Sequence, residues 1–466
     1  MTNPGIFREY DIRGVAERDF PDAFVADLGR AIGTFLVEGG AREITVGRDC
    51  RLSSPRIHGR LREGILSTGL DVVDVGIVHS PGLYFSVFHL AVDGGVMVTA
   101  SHNPSEDNGF KIVQGRSTIH GEAIQRLRQI VESRRFQVGS RPGRVRDHDI
   151  LGDYVPYVAG NITLGPRRFK VVVDGGNGTG GLSALPILAR LGIETEALYC
   201  EPDGRFPNHH PDPTVPKNMA DLAARVQATG AELGIALDGD ADRIGAVDGR
   251  GRIIWGDQLV MLFAREILAR CPGATFVSEV KCSQALYDEV ERLGGRAIMW
   301  KVGHSLIKVK MKQEGAALAG EMSGHMFFAD RWFGFDDAVY AGMRLVELLT
   351  HSGQTLAELY DTLPVLHNTP EIRMECPDDI KFEVVRRAVA FFRAGYPVVD
   401  IDGARVTFPG GWGLVRASNT GPVLVLRFEA DTAARLVEIQ DLVETRLRSI
   451  IADVKASAAA AASVQP

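Results

Sequence analysis

No stretch of this 466-residue chain approaches the roughly 20 consecutive apolar residues that a membrane-spanning helix needs. Cysteine is sparse. Cys50, Cys200, Cys271, Cys282 and Cys376 are odd in number, scattered and never spaced as CxxC, which argues against a disulfide framework and against a zinc knuckle. Blocks of like charge are missing too: the formal net charge is −7, and no Lys/Arg run is long enough to follow a phosphodiester backbone, so nucleic acid is not an expected partner. The opening Met1-Thr-Asn-Pro-Gly-Ile-Phe-Arg8 lacks the apolar centre of a secretory signal. These absences lead us to expect a soluble, cytoplasmic protein with no membrane partner.

Apolar residues are plentiful, at 45% of the chain, and the length predicts about two to four domains. A helix is expected from Asp22 to Val37, a strand over Glu43–Asp49, a helix from Ser54 to Thr68 and a strand over Leu70–Gly76. This βαβ alternation argues for a mostly parallel sheet wrapped by helices. It recurs with strands at Phe169–Asp174, Ile193–Tyr199 and Glu232–Leu237, and again with strands at Ala274–Glu279, Arg296–Trp300 and Ala316–Ala319. From about Thr369 the strands run in hairpin order, with helices expected over Phe382–Phe392 and Thr432–Ile451. The predicted fold is therefore α/β: three similar mixed-sheet α/β domains (1–149, 150–252 and 253–366), a smaller α+β domain (367–454), and a disordered alanine-rich tail (455–466).

Each predicted domain carries one polar loop. In the first, Thr99-Ala-Ser101-His102-Asn103-Pro104 leads to Asn108-Gly-Phe-Lys111 between two apolar runs, which reads as strand, exposed loop, strand, with a serine at the tip able to carry a covalent group. In the second, Asp238-Gly-Asp240-Ala-Asp242-Arg243 places a carboxylate at every second position after an apolar strand. Three such donors can converge on one hard divalent cation, Mg²⁺ rather than an EF-hand Ca²⁺, since Arg243 and Gly249 stand where that loop needs Gly and Glu. The third loop, Gly320-Glu321-Met322-Ser323-Gly324-His325, suits paired hydrogen bonds to sugar hydroxyls. In the last domain, Arg416-Ala-Ser418-Asn419-Thr420 offers a guanidinium fork and hydroxyls for a phosphate dianion. Gly176-Asn-Gly178-Thr-Gly-Gly181 formally matches the dinucleotide fingerprint and founds an alternative, a nicotinamide-dependent oxidoreductase. That alternative has no use for Ser101 or the Asp triplet.

Taken in order, Tyr10-Asp-Ile-Arg13-Gly, Ala100-Ser101-His-Asn-Pro, the Asp238–Arg243 loop, the Gly320–His325 loop and Arg416-Ala-Ser-Asn-Thr420 make the chain resemble the α-D-phosphohexomutases, most closely the bifunctional phosphomannomutase/phosphoglucomutase branch. The resemblance implies a central cleft and interconversion of hexose 1- and 6-phosphates, of glucose and mannose, through an enzyme phosphoserine and a 1,6-bisphosphate. Ser101 would be that serine, with Asp238, Asp240 and Asp242 holding Mg²⁺ together with its phosphoryl oxygen. Arg13, Lys111, Arg243 and His304 match the charged residues around it, and His304 and Lys111 stay open as the proton acceptor. Glu321, Met322, Ser323, Gly324 and His325 would face the sugar, Tyr10, Lys281 and Gly303 would line the cleft, and Arg416, Ser418, Asn419 and Thr420 would hold the non-reacting phosphate. A phosphosugar partner, glucose or mannose 1,6-bisphosphate as activator, and a monomer are implied. Two departures from the pattern are Gly421, where relatives often carry Thr, and Val78-His-Ser-Pro81 in place of Pro-Thr-Pro. A phosphoglucosamine mutase is the nearer alternative, disfavoured by Met322 where that branch has Gln; a non-catalytic sugar-phosphate sensor is a remote one.

Overall fold

The computed structural model describes residues 3–418 and 421–462, with side chains described as far as residue 457. The first sheet runs in the order Ile12–Val15, Asp107–Gln114, Gly94–Val98, Glu43–Arg48, Asp71–Ile77, Val145–Asp147, with Ser117–Thr118 paired to Asp107–Gln114 off that path. Its centre is parallel, and Asp107–Gln114 is antiparallel to both neighbours. Every residue of Gly94–Val98 is buried. That is the continuous apolar run a strand needs when helices cover both faces of its sheet. The helix Asp22–Glu38 ends one residue past its expected limit and contributes Val25, Leu28, Ile32 and Leu36 to the same core as Ile44, Val46, Val96 and Val98.

The second sheet has the order Ile253–Ile254, Ile244–Asp248, Leu233–Leu237, Lys170–Asp174, Glu194–Leu198, and the third the order Arg296–Trp300, Thr275–Glu279, Leu318–Gly320, Met326–Phe328. In both, the last buried strand before the polar loop hairpins into an antiparallel partner, Leu233–Leu237 into Ile244–Asp248 and Leu318–Gly320 into Met326–Phe328. The polar loops are thus hairpin connections at the ends of buried strands. The architecture is a multi-domain α/β fold.

By compactness the chain divides into two units, one holding 1–277, 289–297 and 303–362, the other 278–288, 298–302 and 363–466. The second unit contains an antiparallel sheet, His367–Asn368, Val423–Ala430, Gly411–Ala417, Ala404–Phe408, Val398–Val399, with Ile372–Glu375 also on Val423–Ala430. The helices Lys381–Arg393 and Ala433–Ala462 set Val384, Phe392, Ile439, Val443 and Leu447 against Val406, Leu426 and Phe428. The last helix corrects the expected tail: it continues through the alanine-rich stretch to Ala462, because alanine has the highest helix propensity and the chain has no breaker there. Among the described residues no helix is long and apolar enough to cross a membrane.

Candidate functional site

Ser101 follows Gly94–Val98 by three residues and has φ +51°, a left-handed conformation rare for a side-chain-bearing residue. Its N–H donates to Thr99 Oγ1 at 2.9 Å, and its hydroxyl donates to Asp238 Oδ2 at 2.7 Å, with His102 Nδ1 3.0 Å away. The loop expected to be exposed is not so at its key residue: Ser101 is 3% exposed. The acidic loop covers it, and a Cβ on Gly239 would lie 2.5 Å from the Ser101 carbonyl oxygen. Burial, with Arg243 and Arg13, drives His102 well below its ordinary pKa, so a neutral imidazole stands beside the hydroxyl.

Asp238, Asp240 and Asp242 are all buried. Asp238 Oδ1 accepts the N–H groups of Asp242 and Arg243 at 3.0 and 3.1 Å, which folds the loop over its own first residue. Asp240 is held by Ser80, whose N–H donates to the Asp240 carbonyl at 2.9 Å and whose hydroxyl donates to Asp240 Oδ2 at 2.5 Å. Lys111 donates to Asp240 Oδ2 at 2.6 Å and also to Asp242. Burial opposes its charge, but Asp240 and Asp242 outweigh that and hold the ammonium well above its ordinary pKa. Burial first, then Asp242 and Asp240, push Asp238 well above the carboxylate range, whereas Lys111 and His325 hold Asp242 well below it against burial. One oxygen of each triad member lies within 4.8 Å of the others, and Asp240 Oδ1 and Asp242 Oδ1 are buried without a hydrogen-bond partner. Three convergent hard oxygens, with Asp240 Oδ1 buried and without a partner, fit Mg²⁺.

The glycine fingerprint serves this loop instead of a dinucleotide. A Cβ on Gly178 would lie 2.6 Å from the Gly239 carbonyl oxygen, and Thr179 N–H donates to that oxygen at 3.1 Å. The space above the turn is filled by the acidic loop's own backbone.

Gly320–His325 joins the same cluster through the backbone, Ile244 N–H donating to the Gly324 carbonyl at 3.0 Å. Glu321 Oε1 accepts Gly303 N–H at 2.8 Å and its Oε2 lies 2.8 Å from His325 Nδ1, with Ser323 Oγ 3.2 Å from the same nitrogen. His325 Nε2 is 3.4 Å from Asp242 Oδ1, and Arg243 Nε 3.3 Å from that nitrogen. Burial and Arg243 act to lower the His325 pKa, yet Asp242 and Glu321 lift it to about 9, leaving an imidazolium between two carboxylates at neutral pH. Gly303 has φ +128°, and a Cβ there would lie 2.5 Å from Tyr10 Cζ, so only glycine admits that tyrosine. His304 follows, its ring 6.1 Å from that of Tyr10 and 5.8 Å from that of His325. Burial, then Lys308 and Lys111, push its pKa well down, and its buried Nδ1 faces Asp336 Oδ2 at 3.5 Å. Arg13 donates to Asp11 Oδ2 at 2.6 Å and to Asn103 Oδ1 at 2.7 Å, which brings it to the serine loop.

In the second unit, Arg416 Nε donates to Asp402 Oδ2 at 3.2 Å, and the same oxygen accepts Val302 N–H at 3.0 Å. Lys281 Nζ donates to Glu371 Oε2 at 3.3 Å, and Arg427 donates to the Lys281 carbonyl. Ser418 is buried. Lys381 Nζ donates to the carbonyls of Ser418 and Gly421 at 2.6 and 3.1 Å. Asn419 and Thr420 lie outside the described residues.

Against known families, residues 4–138 match "Phosphoglucomutase/phosphomannomutase, alpha/beta/alpha domain I", 153–251 its domain II, 255–366 its domain III and 371–446 its C-terminal domain. The chain belongs to the phosphoglucomutase/phosphomannomutase family. It is 46% identical over 445 residues to the phosphomannomutase/phosphoglucomutase of Pseudomonas putida, covering 95% of each chain. It is 46% identical over 439 residues to a phosphoglucomutase of Neisseria gonorrhoeae, covering 94% of this chain and 95% of the relative. A crystal structure of a phosphoglucomutase/phosphomannomutase family protein from Burkholderia thailandensis superposes with a TM-score of 0.90 at 43% identity, covering 97% of this chain and 98% of the other.

For this family member, sequence reasoning missed Arg51, Ser80, Asp402 and Lys381. Ser80 stands inside the departure Val78-His-Ser-Pro81, whose replacement residue holds Asp240. Arg51 follows Gly47-Arg-Asp-Cys50, where its closeness to a buried strand end was the available signal. Asp402 and Lys381 carry no local signal, because their partners are distant in sequence.

Proposed function

We propose that this chain moves a phosphoryl group between O1 and O6 of glucose or mannose through Ser101, as an isomerase of the phosphohexomutase type. Hexose-phosphate mutase activity is the activity named for its relatives at 46% identity across nearly the whole chain. The observation that carries the reading is the Ser101 hydroxyl, 2.7 Å from a member of the buried carboxylate triad and lying on the loop that Arg13 reaches. Four segments are proposed, 1–149, 150–252, 253–366 and 367–454, supported by the four family matches that fall inside them.

Phospho-Ser101 gives its group to the free O6 of a hexose 1-phosphate. The P–Oγ bond breaks and a P–O6 bond forms; the O6 hydroxyl gives its proton to a base in the site, for which the buried, neutral His304 is the candidate, and Ser101 Oγ takes up a proton as it leaves. Lys111 is the other candidate acceptor; its ammonium donating to Asp240, Asp242 and, at 3.4 Å, Ser80 favours His304. The bisphosphate then presents its 1-phosphate, the P–O1 bond breaks, the Ser101 hydroxyl gives up its proton as it is rephosphorylated, and O1 takes up a proton. Asp238, Asp240 and Asp242, with the Ser101 phosphoryl oxygen, would hold Mg²⁺, which when bound neutralises charge on the transferring group. Arg13, Lys111 and Arg243 add positive charge around the serine. Glu321, Ser323 and His325, with Met322 and Gly324 shaping their loop, read sugar hydroxyls, and Tyr10, Lys281 and Gly303 line the sugar's path. Arg416, Ser418, Asn419 and Thr420 grip the phosphate that is not reacting. A 1,6-bisphosphate primes Ser101.

The test is a coupled assay of glucose 1-phosphate and mannose 1-phosphate conversion with Mg²⁺ and a trace of glucose 1,6-bisphosphate, with glucosamine 1-phosphate as a third arm. Turnover of the first two is expected, and turnover of neither refutes the proposal. Intact mass should show one added phosphoryl group that Ser101→Ala abolishes.

A further inference from the structure

Ser101 sits in a left-handed backbone conformation, at φ +51°. For an ordinary residue that conformation costs about 1–3 kcal/mol and persists only where the surroundings over-determine it. The surroundings converge on one side chain. Arg51 is fully buried, and each of its five N–H groups is used. Nη2 donates to the Ser101 carbonyl at 2.8 Å and to that of Asn103 at 2.7 Å, and Nη1 to the carbonyls of Asp107, at 3.0 Å, and Pro104. Nε donates to Asp49 Oδ2 at 3.2 Å. Asp49 is fixed in turn, its Oδ1 accepting the Arg51 N–H at 3.0 Å and the Ser54 hydroxyl at 2.5 Å, while Asn108 Nδ2 donates to Ser54 Oγ at 3.0 Å. The Phe206 ring covers the guanidinium, 5.1 Å from Cζ to the ring centroid.

We propose that Arg51 is the positioning residue of the phosphoryl-transfer loop: its guanidinium gathers the carbonyls of Ser101, Asn103, Pro104 and Asp107 and thereby fixes the direction in which the Ser101 hydroxyl points. Arg51 acts through backbone oxygens and does not touch the reacting atoms. The fork matters as well as the charge. Lysine carries the same charge but offers three donors from one point, and it cannot span four carbonyls and a carboxylate. The inference rests on the reading of Ser101 as the phosphoryl carrier.

The experiment compares wild type, Arg51→Lys and Asp49→Asn after mixing with glucose 1,6-bisphosphate and Mg²⁺. It follows phosphoryl gain on Ser101 by intact mass and peptide mapping, then steady-state turnover, and amide hydrogen exchange across the chain. In R51K, loading of Ser101 and kcat are expected to fall about 100-fold, the scale of an ångström of misplacement at a reacting atom. KM for the hexose phosphate should stay within about threefold, because the sugar is held elsewhere. Faster exchange should be confined to residues 99–107. Loading at the wild-type rate per folded molecule, or a loss that comes with faster exchange throughout the fold, overturns the proposal. If R51K does not accumulate as folded protein, D49N decides: it keeps the fork but loosens its anchor, a loss of about tenfold is expected, and wild-type loading overturns the claim. If wild type itself takes no phosphoryl group on Ser101, the carrier reading falls and Arg51's role with it; if wild type loads and both variants load equally, only the role of Arg51 falls.

Discussion

Replacing Lys111 by methionine keeps most of the side-chain volume and removes one positive charge from among three buried carboxylates. Lys111 is 4% exposed at its side chain, and its partners Asp240 and Asp242 are 0% and 1% exposed. Breaking a buried ion pair from one side costs about 3–5 kcal/mol, because the remaining charge is left without compensation. A domain of this size loses about 2–4 °C in Tm per kcal/mol, so K111M in chelator should melt roughly 6–20 °C below wild type. Mg²⁺ binding to the folded state alone restores stability by mass action. It should raise the Tm of K111M by more than that of wild type, since in the variant it meets a triad with one positive charge fewer. Differential scanning fluorimetry with and without Mg²⁺ reads both effects. A K111M protein melting within about 2 °C of wild type in chelator would show that the triad is not a set of confined like charges, and the case for a cation there would lose its physical basis.

Gly239→Ala puts a Cβ 2.5 Å from the Ser101 carbonyl oxygen, a backbone atom that cannot step aside. The phosphoryl loading of Ser101 should fall about 100-fold, with about 1–3 kcal/mol lost from stability, read by intact mass and urea melts. Burial works against ionisation of Asp74, but His58, the Gly76 N–H and Arg62 hold its pKa at about 2, below its ordinary value of 3.8. A depressed folded-state pKa gives stability that is present above the unfolded value and lost as pH falls through the folded one. Asp74→Asn should therefore cost about 2 kcal/mol at pH 7, and the gap to wild type should close between about pH 4 and pH 2 in urea melts. Truncation after Lys455 removes no buried side chain among the described residues and should leave the Tm within about 1 °C. Truncation after Leu447 takes Ile450 and Val454 from the core and should cost about 3–5 kcal/mol.

Secondary structure was legible where burial was uniform along an element. Leu233–Leu237 read as a strand because it is buried at every position and carries no polar side chain, and Glu43–Arg48 because its four central residues are buried. The candidate loops stood out because carboxylates at alternate positions, or a Ser-His-Asn-Pro run, have few structural uses. Long-range contact was not legible. Ser101 read as exposed because its own loop is polar, whereas its burial comes from a segment 137 residues away. The helix Ser80–His89 escaped notice because a proline near its start and a serine facing Asp240 look like a turn. Arg51 received no reading, since a place beside a buried strand end does not reveal that its partners are carbonyls some 50 to 56 positions on.

Ser80 and Lys111, from the segment that bears the serine, hold Asp240 in place, and Gly178 makes room for the loop on which Asp240 stands. The acidic loop is therefore a shared part rather than the property of one segment. A chimera that exchanges residues 150–252 for those of a distant relative would bring a complete Asp-Gly-Asp-Ala-Asp sequence and still set it on mismatched supports. Recombination along this chain should succeed only when the serine-bearing and acid-bearing segments travel together, because each supplies half of the contacts that set Asp240.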